Sequence, residues 1–516
     1  MNRFFIISTV ILALAVAGCS TDKDSLQSNQ DSDQGENSQE DQSNEDKNKG
    51  EEKVINLEVQ ETHWMFNDNI MRDAWTYNGT LPGEEIRVQE GDTVILNVKN
   101  ALDVPTALHL HGFPVPNEMD GVPGVTQNAI MPGEEFTYEY QANIPGTYWY
   151  HSHQDSATQV GNGLYGVFIV EPTDQESYDL DETLVIDEIS SMEMMNMSEM
   201  GHGEMDMDDI DHGNMDDMDH GEMNTDDISH NELMNKMYDT MIINGKASPQ
   251  IEFIQVEEGN RVKLRFLNAG LFTQVVSIPG HSFKITHYDG QPVNEPDILN
   301  DTAFRIAPAE RFEVEMQMDN PGAWGIQVFA EENQDKLNVL IPIIYHGFEG
   351  EELYTVDEAS VFFDFTAYGE SQALTIGDVT KEFDMILGTN DGGETFTIND
   401  KQFPNHEIYE VEEGDVVKYT IVNETEVDHP MHLHGEFFYV ISKDGIPIQG
   451  SPVLKDTINV KPGEAYEILV AATNPGNWLF HCHELHHAGG GMVAEIQYKG
   501  FTPLFTPESE VSNQPE

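Results

Sequence analysis

Residues 475–483 read Pro-Gly-Asn-Trp-Leu-Phe-His-Cys-His, a turn followed by an apolar run that ends in a cysteine between two histidines. Related stretches occur twice more, as Pro-Gly-Thr-Tyr-Trp-Tyr-His-Ser-His at 145–153 and Pro-Gly-Ala-Trp-Gly-Ile-Gln-Val-Phe at 321–329. A Pro-Gly turn before an apolar run is typical of a β-strand. The three copies indicate three units of one fold, of which the middle unit lacks the histidines.

Two further elements repeat in the same order. A Glu-Gly turn precedes an alternating run at 88–92, 256–260 and 411–415. Proline turns at 131–134, 307–310 and 461–464 precede another alternating run. Because period-two alternation predicts half-buried strands, the sequence predicts an all-β chain of three β-sandwich domains. The predicted domains span residues 54–175, 238–350 and 372–500.

Paired histidines occupy matching places in the first and third domains. Side chains two residues apart on a strand point to the same face of the sheet. We therefore expect eight imidazoles to converge on one site shared by the outer domains, with ligands suited to copper, zinc, iron or nickel. The pairs are His109 and His111, His151 and His153, His432 and His434, and His481 and His483.

A second ligand set surrounds the cysteine of the third domain, whose sulfur points away from the histidine pair on either side of it. Two imidazoles, a thiolate and a weak axial thioether are the ligands of a blue, electron-transferring copper. The candidate ligands of this site are His429, Cys482, His487 and Met492.

The first domain has no copy of this second site. Thr106 and Ser152 stand where the third domain has His429 and Cys482. Electrons therefore enter at a single point, the Cys482 site. The backbone next to Cys482 leads directly to two histidines of the shared cluster, so a one-electron donor would be connected to a centre able to reduce O2.

At these residues the chain resembles the multicopper oxidases, which include laccases, bacterial cuprous oxidases of copper resistance and bilirubin oxidases. The resemblance extends from about residue 54 to 500. It lies in the motifs at 109–112, 151–153, 429–435 and 481–492. It implies three cupredoxin-like Greek-key domains, of sandwich or barrel form, and four-electron reduction of O2 to water coupled to oxidation of a donor.

The resemblance also implies how four copper ions divide the ligands. The axial methionine is similar to that of bacterial and plant enzymes. By position, type 1 copper takes His429, Cys482, His487 and Met492; type 2 copper takes His109 and His432; the type 3 pair takes His111, His151 and His483 on one ion and His153, His434 and His481 on the other.

An acidic residue, Asp120, lies nine residues after His111, where bacterial relatives have an acid that helps to deliver protons to reduced oxygen. The alternative is a surface aspartate in a turn. Some relatives have a glutamate just after the histidine that matches His487, where this chain has Ala488. Glu484, or a carboxylate elsewhere, would then have to take its place.

The first residues have the features of an export signal. Arg3 precedes an apolar run at 4–17, which is too short for a transmembrane helix. Val-Ala-Gly-Cys at 16–19 resembles the bacterial lipobox, and the alternative is an ordinary signal peptide. We expect residues 1–19 to be this signal and Cys19 to carry lipid that anchors the protein to the outer face of a bacterial membrane. Residues 20–53 have almost nothing to bury and predict a disordered tether.

A methionine-rich stretch lies in the predicted linker at 176–237 and reaches Met241. Thioethers select Cu(I), and carboxylates attract cations. One interpretation is a flexible linker whose methionines absorb oxidants; the favoured one is a segment that gathers Cu(I). Its candidate residues are Met192, Met194, Met195, Met197, Met200, His202, Met205, Met207, His212, Met215, Met218, His220 and Met223, followed by His230, Met234, Met237 and Met241.

Composition limits the partners. The chain of 516 residues has 24 Lys and Arg against 94 Asp and Glu, a formal net charge of −70. It should repel nucleic acid and anionic lipid head groups. Residues 351–371 are predicted to be a linker and 501–516 a tail, and we expect a monomer.

Four functions are compared. The favoured one is an oxidase that converts Cu(I) to Cu(II) outside the membrane. A laccase that oxidises phenols, aromatic amines, bilirubin or Mn(II) is the alternative enzyme. A copper storage or delivery protein fits the methionines, but does not need the connection between Cys482 and the histidine cluster. A copper nitrite reductase would lack the four histidine pairs.

Overall fold

The structure, a computed structural model, describes residues 50–174, 177–191, 230–355, 361–390 and 395–516. The described chain forms three cupredoxin-like β-sandwich domains, each built from two sheets. This confirms the predicted fold class. No helix in the described ranges has the length and apolar character needed to cross a bilayer.

The first domain pairs a sheet of order β2-β1-β4-β6 with one of order β3-β8-β7-β5. A 3-10 helix covers Asn117–Met119 and helix α1 covers Ser156–Gly161. The strands are β1 (Glu52–Met65), β2 (Met71–Tyr77), β3 (Gly83–Gln89), β4 (Thr93–Asn100), β5 (His109–His111), β6 (Glu135–Gln141), β7 (Gly146–His151) and β8 (Tyr165–Glu171).

The second domain pairs a sheet of order β11-β10-β9-β13-β18-β15-β16 with one of order β12-β20-β19-β14-β17-β21. Helix α2 covers His230–Met237. The strands are β9 (Leu180–Ile189), β10 (Thr240–Ile243), β11 (Lys246–Ala247), β12 (Ile254–Val256), β13 (Arg261–Asn268), β14 (Gln274–Ser277), β15 (Phe283–Tyr288), β16 (Gln291–Pro292), β17 (Thr302–Ile306), β18 (Arg311–Gln317), β19 (Ala323–Ala330), β20 (Asn338–Tyr345) and β21 (Val361–Phe362).

The third domain pairs a sheet of order β23-β22-β25-β31-β27-β28, in which β29 also pairs with β27, with one of order β24-β33-β32-β26-β30. Helix α3 covers Leu485–Gly489, and a 3-10 helix precedes the domain at Phe365–Ala367. The strands are β22 (Lys381–Asn390), β23 (Thr395–Ile398), β24 (Glu407–Val411), β25 (Val416–Asn423), β26 (His429–Leu433), β27 (Phe438–Lys443), β28 (Ile446–Pro447), β29 (Val453–Lys455), β30 (Thr457–Val460), β31 (Ala465–Ala471), β32 (Asn477–Cys482) and β33 (Val493–Tyr498).

The internal repeats of the sequence correspond to equivalent strands. The three Glu-Gly turns lead into β4, β13 and β25, and the three Pro-Gly turns lead into β7, β19 and β32. In each domain the first strand pairs in parallel with the strand after the Glu-Gly turn: β1 with β4, β9 with β13 and β22 with β25.

This equivalence corrects the predicted boundary of the second domain. Strand β9, with its buried residues Leu184 and Ile186, lies inside the predicted linker at 176–237. It pairs with β13 and, through Ile189 opposite Thr240, with β10. The methionine-rich stretch is therefore an insertion in the β9–β10 hairpin of the second domain, and not a connection between two domains. The repeats do not reveal β9, because no copied turn precedes it.

The predicted linker at 351–371 also contains structure. Strand β21 pairs in parallel with β17, which adds an edge strand to the second domain. Farther along, the Tyr368 hydroxyl accepts a hydrogen bond from the Ile285 amide at 3.0 Å and donates one to the Asp297 carbonyl at 2.7 Å. This connection therefore packs along the second domain.

The first and third domains meet near the histidine strands. Asn117 donates a side-chain hydrogen bond to the Asn477 carbonyl, and Asn474 donates one to the Val115 carbonyl, at 2.8 and 2.9 Å. Buried side chains fill each sandwich, and the largest include Trp149 on β7 and Trp478 on β32. These contacts hold β5 and β7 of one domain against β26 and β32 of the other.

Candidate metal centre

The four histidine pairs meet at the boundary between the first and third domains. Within each domain, antiparallel pairing sets two pairs side by side: His109 lies opposite His151 and His432 lies opposite His481. Across the boundary the rings of His111 and His432 stack at a centroid distance of 3.6 Å. All eight side chains are buried, with at most 2% exposure. The strand geometry thus brings the predicted pairs together.

The ring nitrogens form three groups of possible ligand atoms. Within each group the atoms lie within 4.8 Å of one another. The groups are His111, His151 and His483; His153, His434 and His481; and His109, His111 and His432.

Backbone carbonyls fix the orientation of five rings, four of them through carbonyls of the first and third domains and that of His153 through Pro515. A ligand histidine that donates one ring N–H to such an acceptor leaves the other nitrogen free to bind metal. The Nδ1 donors, their carbonyl partners and the distances are His109 to Asp120 (2.7 Å), His151 to Ser152 (2.9 Å), His481 to Cys482 (3.0 Å) and His432 to Asp456 (3.0 Å).

Burial favours the neutral form of six of these imidazoles. Desolvation is the main cause that lowers the pKa of His111, His151, His434, His481 and His483 well below the ordinary value, and their neighbouring rings lower it further. The pKa of His153 falls to about 3, again mainly through burial. A neutral imidazole keeps the lone pair that a metal ion needs.

The donor set fits copper. Six buried ring nitrogens of the described cluster have no hydrogen-bond partner, an arrangement that is unfavourable unless an ion occupies the space between them. His434 and His481 also face each other through Nε2 at 3.0 Å. The six nitrogens are His109 Nε2, His111 Nδ1, His151 Nε2, His153 Nε2, His432 Nε2 and His483 Nε2.

A second group lies on the other face of β32. The Cys482 sulfur is 3.6 Å from His429 Nδ1 and 3.7 Å from His487 Nδ1. Burial raises the pKa of the Cys482 thiol well above its ordinary value, so its thiolate requires a bound cation. Met492 is fully buried, and its carbonyl accepts a hydrogen bond from the Cys482 amide at 3.1 Å.

Helix α3 places His487 within reach of this sulfur. Glu484 caps the helix, since its carboxylate accepts a hydrogen bond from the His487 amide at 2.7 Å. The ring of Phe396 packs against that of His487, with centroids 3.9 Å apart. On the other side, Thr425 bonds His429 Nε2 at 2.8 Å, which leaves Nδ1 to face Cys482.

The first domain has a cluster of polar side chains at the place that corresponds to the Cys482 group of the third domain. Thr106 and Ser152 both donate hydrogen bonds to Gln159 Oε1, at 2.8 and 2.6 Å. In the second domain β19 carries Gln327, Val328 and Phe329 where the outer domains have His-x-His. The described part of the second domain therefore supplies no ligand to either group.

Asp120 follows the first 3-10 helix and is buried between the two domains. Its carboxylate accepts a hydrogen bond from His434 Nδ1 at 3.0 Å and lies 3.3 Å from His109 Nδ1. The alternative of a surface aspartate is wrong, because the residue is 1% exposed. Its role in proton delivery stays a prediction.

Sequence reasoning missed Asp456. One carboxylate oxygen accepts a hydrogen bond from His111 Nε2 at 3.1 Å, while its backbone carbonyl accepts one from His432. No motif marks this residue, because it reaches His111 from 345 positions away in the chain.

The predicted tail also reaches the cluster. The Pro515 carbonyl accepts a hydrogen bond from His153 Nδ1 at 2.5 Å. The Glu516 carboxylate, with 3% of its side chain exposed, lies 3.2 Å from His481 Nδ1 and 3.8 Å from His153 Nε2. Ser156 donates a hydrogen bond to it at 3.0 Å. Glu516 is thus a carboxylate next to the cluster, whereas Glu484 caps α3.

Other predicted residues lie outside the described ranges. These are Cys19 and the methionines and histidines from Met192 to Met223. Of the later methionines, Met234 on α2 and Met241 on β10 are buried.

Comparisons with known proteins agree with this arrangement. Family profiles described as multicopper oxidase match residues 58–175, 212–345 and 377–500. Multicopper oxidase MmcO of Mycobacterium tuberculosis is 30% identical over 434 residues, with 82% of each chain covered. Copper resistance protein A of Pseudomonas syringae pv. tomato is 26% identical, with 83% of this chain and 89% of that protein covered.

Solved structures share the fold. The crystal structure of Fet3p, a multicopper oxidase that functions in iron import, superimposes with a TM-score of 0.72 at 21% identity, covering 87% of this chain and 90% of that one. The family profiles and the 30% identical relative establish the ancestry, and the buried histidine groups fit the metal. The chain belongs to the multicopper oxidase family, and it is a copper-dependent oxidoreductase with O2 as the electron acceptor.

Proposed function

We propose that the physiological electron donor is Cu(I), which the protein oxidises to Cu(II) outside the cell. The observation that carries this proposal is a small acidic cavity beside His487. Its volume is about 40 Å³, and it lies between the second and third domains. Its polar and sulfur-containing wall residues are Met234, Glu332, Asp428, Glu484 and His487, with Thr273.

The size of the cavity favours an ion over an aromatic donor. A cavity of about 150 Å³ can enclose a benzene ring, so a cavity of about 40 Å³ is suited to an ion and not to an enclosed phenol ring. Burial raises the pKa of Glu484 to about 8, and a cation in the cavity would favour its ionised form.

The wall chemistry favours a soft cation. A thioether selects Cu(I), and carboxylates attract positive charge. Met234 belongs to α2, in the described end of the methionine-rich stretch, so this end of the stretch lies next to the cavity. A relative is named copper resistance protein A, which is consistent with this donor.

We also propose four copper ions per chain, with the ligands that the family pattern implies. Type 1 copper would use the Cys482 group, and the three histidine groups would hold type 2 and type 3 copper. Bound copper supplies one-electron redox chemistry at the first site and O2 reduction at the second. Since all ligands come from one chain, a monomer is sufficient.

The protein itself positions the ligands and joins the two sites. Cys482 is bonded through the backbone to His481 and His483, which belong to two different histidine groups. Asp120 holds the orientation of His434 and is placed to move a proton near the cluster. The buried surroundings exclude bulk water.

For its location we propose an exported protein anchored through lipid on Cys19. The basic residue, the apolar run and the lipobox-like residues 16–19 support it. Cells that express the Cys19→Ser variant should release the protein into the soluble fraction, and labelled fatty acid should enter only the native chain. Equal labelling of both chains would contradict the anchor.

The donor is tested by comparing kcat/KM for Cu(I) with that for a bulky phenol. Met234→Ala, and separately removal of residues 192–229, should lower the Cu(I) value by roughly tenfold, equivalent to about 1.4 kcal/mol. The phenol value should stay unchanged or rise, since neither change removes a copper ligand and the shorter side chain of Met234→Ala widens the space beside His487. Met316→Ala is the control, since Met316 is a buried methionine of β18 that does not line the cavity.

Equal losses for both donors, or none, would overturn the Cu(I) proposal and favour a laccase.

The storage alternative is tested by O2 uptake with a reductant. Cys482→Ser should abolish O2 uptake and the blue absorption but retain the other three copper ions. Ser152→Ala, at the equivalent place in the first domain, is the control.

A further inference from the structure

Arg311, at the start of β18 in the second domain, is fully buried where all three domains meet. Its Nε donates a hydrogen bond to the Thr147 carbonyl of the first domain at 3.1 Å. Its Nη1 and Nη2 donate to the two carboxylate oxygens of Asp456 in the third domain, at 2.9 and 2.6 Å. The guanidinium thus contacts both domains that carry the copper ligands.

The carboxylate that Arg311 holds is the one that orients two ligand histidines. Asp456 accepts a hydrogen bond from His111 Nε2 through Oδ1 and one from His432 Nδ1 through its backbone carbonyl. These contacts leave His111 Nδ1 and His432 Nε2 without a hydrogen-bond partner among the described residues. The two free nitrogens point into the ligand group that His109 completes.

We propose that Arg311 is a positioning residue of the histidine cluster, through which the second domain controls copper binding without supplying a ligand. The planar guanidinium matches a carboxylate at two points and fixes its rotation. A buried carboxylate without such a partner would be strongly unfavourable. Asp456 would then turn away or take up a proton, and both ligand histidines would lose their fixed orientation.

A glycine in the ligand motif supports this interpretation. A Cβ at Gly112, directly after His111, would lie 2.3 Å from Asp456 Oδ2 and 2.4 Å from Arg311 Nη2. Gly112 also has a φ of +78°, which L side chains rarely adopt. The glycine therefore leaves the space that the Arg311–Asp456 pair occupies against the ligand strand.

Further buried charges hold the arginine in place. Asp289 accepts a hydrogen bond from the Arg311 amide at 3.0 Å and forms an ion pair with Lys455 at 3.0 Å. Lys455 also contacts Glu310 at 3.1 Å. The arginine is therefore part of a fixed network that connects β18 to the third domain.

Arg265 provides a matched control. It is also a buried arginine of the second domain, 3% exposed, and it also contacts Thr147, through the side-chain hydroxyl at 2.7 Å. Its carboxylate partners are Glu313 and Asp181, neither of which contacts a ligand histidine. Loss of Arg265 removes a comparable buried ion pair without touching the cluster.

The test compares purified Arg311→Met, Arg311→Lys and Arg265→Met with the native protein, each loaded with copper. The readouts are copper per chain, the type 2 electron paramagnetic resonance signal, the blue absorption and the Tm of the metal-free forms. Arg311→Met should bind cluster copper roughly 10- to 100-fold more weakly with an altered type 2 signal and an unchanged blue absorption. Arg311→Lys should show a smaller effect, because an ammonium cannot hold both oxygens in the same plane.

Arg265→Met should lower the Tm but retain the native copper content and signals. Native copper binding and type 2 signal in Arg311→Met would overturn the inference, as would equal copper losses in Arg311→Met and Arg265→Met. If Arg311→Met does not fold, Arg311→Lys decides in the same way. The inference rests on the proposed ligand assignment; that assignment itself fails if the native protein holds no cluster copper, which the same measurement reveals.

Discussion

Asp120 is a single carboxylate shared by two histidines from different domains. It contacts His434 and His109 at 3.0 and 3.3 Å. Asp120→Asn keeps the size of the side chain but removes its charge and its ability to carry a proton. We expect O2 reduction to slow by roughly 10- to 100-fold, while the blue absorption stays intact because the Cys482 group is untouched.

Stopped-flow reoxidation of the reduced enzyme would measure this step. Asp103→Asn, an exposed aspartate of the same domain, should reoxidise at the native rate. Native reoxidation of Asp120→Asn would remove Asp120 from proton delivery.

The buried histidines predict how acid affects the metal-free protein. Burial lowers the pKa of His153 and of His429 to about 3 from an ordinary value of 6.5. Between these values the unfolded chain binds protons that the folded chain does not. The contribution of each histidine to the free energy of unfolding is therefore complete above about pH 6.5. It falls as the pH drops toward 3, by up to about 1.4 kcal/mol per pH unit for each histidine.

Calorimetry of the metal-free protein should show a Tm that declines from about pH 7 to about pH 5, a range set by the ordinary histidine pKa. The copper-loaded protein is the comparison, and its Tm should decline less while the metal remains bound. A constant Tm in the metal-free protein over this range would contradict the expected titration.

At the scale of elements, the segment from Asn513 to Glu516 acts as part of the cluster wall. Pro515 accepts the hydrogen bond of His153, and Asn513 accepts one from the Ala129 amide at 2.9 Å. Removing residues 513–516 deprives His153 of its acceptor and admits solvent. We expect copper to transfer to a chelator roughly 10- to 100-fold faster, measured as loss of copper per chain with time.

Leu504→Ser is the control for this change, since Leu504 belongs to the same stretch but is 85% exposed. It should lose copper at the native rate. If the shortened chain also retains copper as the native chain does, the segment only covers the surface.

Elements also show where prediction from sequence succeeds. The positions of His109, His111, His481 and His483 follow from period two on a strand, a local rule that needs no knowledge of neighbours. Asp456 and Glu516 obey no such rule. They reach the site through contacts across hundreds of residues, and a single carboxylate in an acidic chain has no local pattern that distinguishes it.

The same contrast applies to domain limits. The repeated turn sequences indicate three domains, because the same turn residues recur in the same order in each domain. Strand β9 has no copied turn, and only its pairing with β13 and β10 assigns it to the second domain. A hairpin can be predicted when a short turn joins its two strands. Here a long insertion separates β9 from β10, so the sequence does not show that these two strands pair.

For the whole molecule, the division of ligands between two domains predicts a stabilising effect of copper. Metal that binds only the folded protein raises its free energy of unfolding by about 2.7 kcal/mol per site when free ligand is about 100 times the dissociation constant. We expect copper to raise the Tm, and the Cys482→Ser protein to retain most of the increase. Calorimetry of loaded and metal-free protein measures both.

A Cys482→Ser protein that loses the whole increase would place the stabilisation at the third domain alone. A Tm that copper leaves unchanged in the native protein would mean that the domains are docked equally well without it. Either result would contradict the prediction that copper bound to the shared cluster stabilises the contact between the first and third domains.

The interdomain position of the cluster also affects when the enzyme can become active. Its histidines run from His109 to His483, so a chain in which only the first domain has folded has one or two of the three histidines of each shared group. Copper present at that time meets incomplete sites of low affinity, and stable loading must wait until β32 has been synthesised and docked. We therefore expect the folded chain to stay inactive until copper is supplied, so that copper supply can set the activity independently of the amount of enzyme.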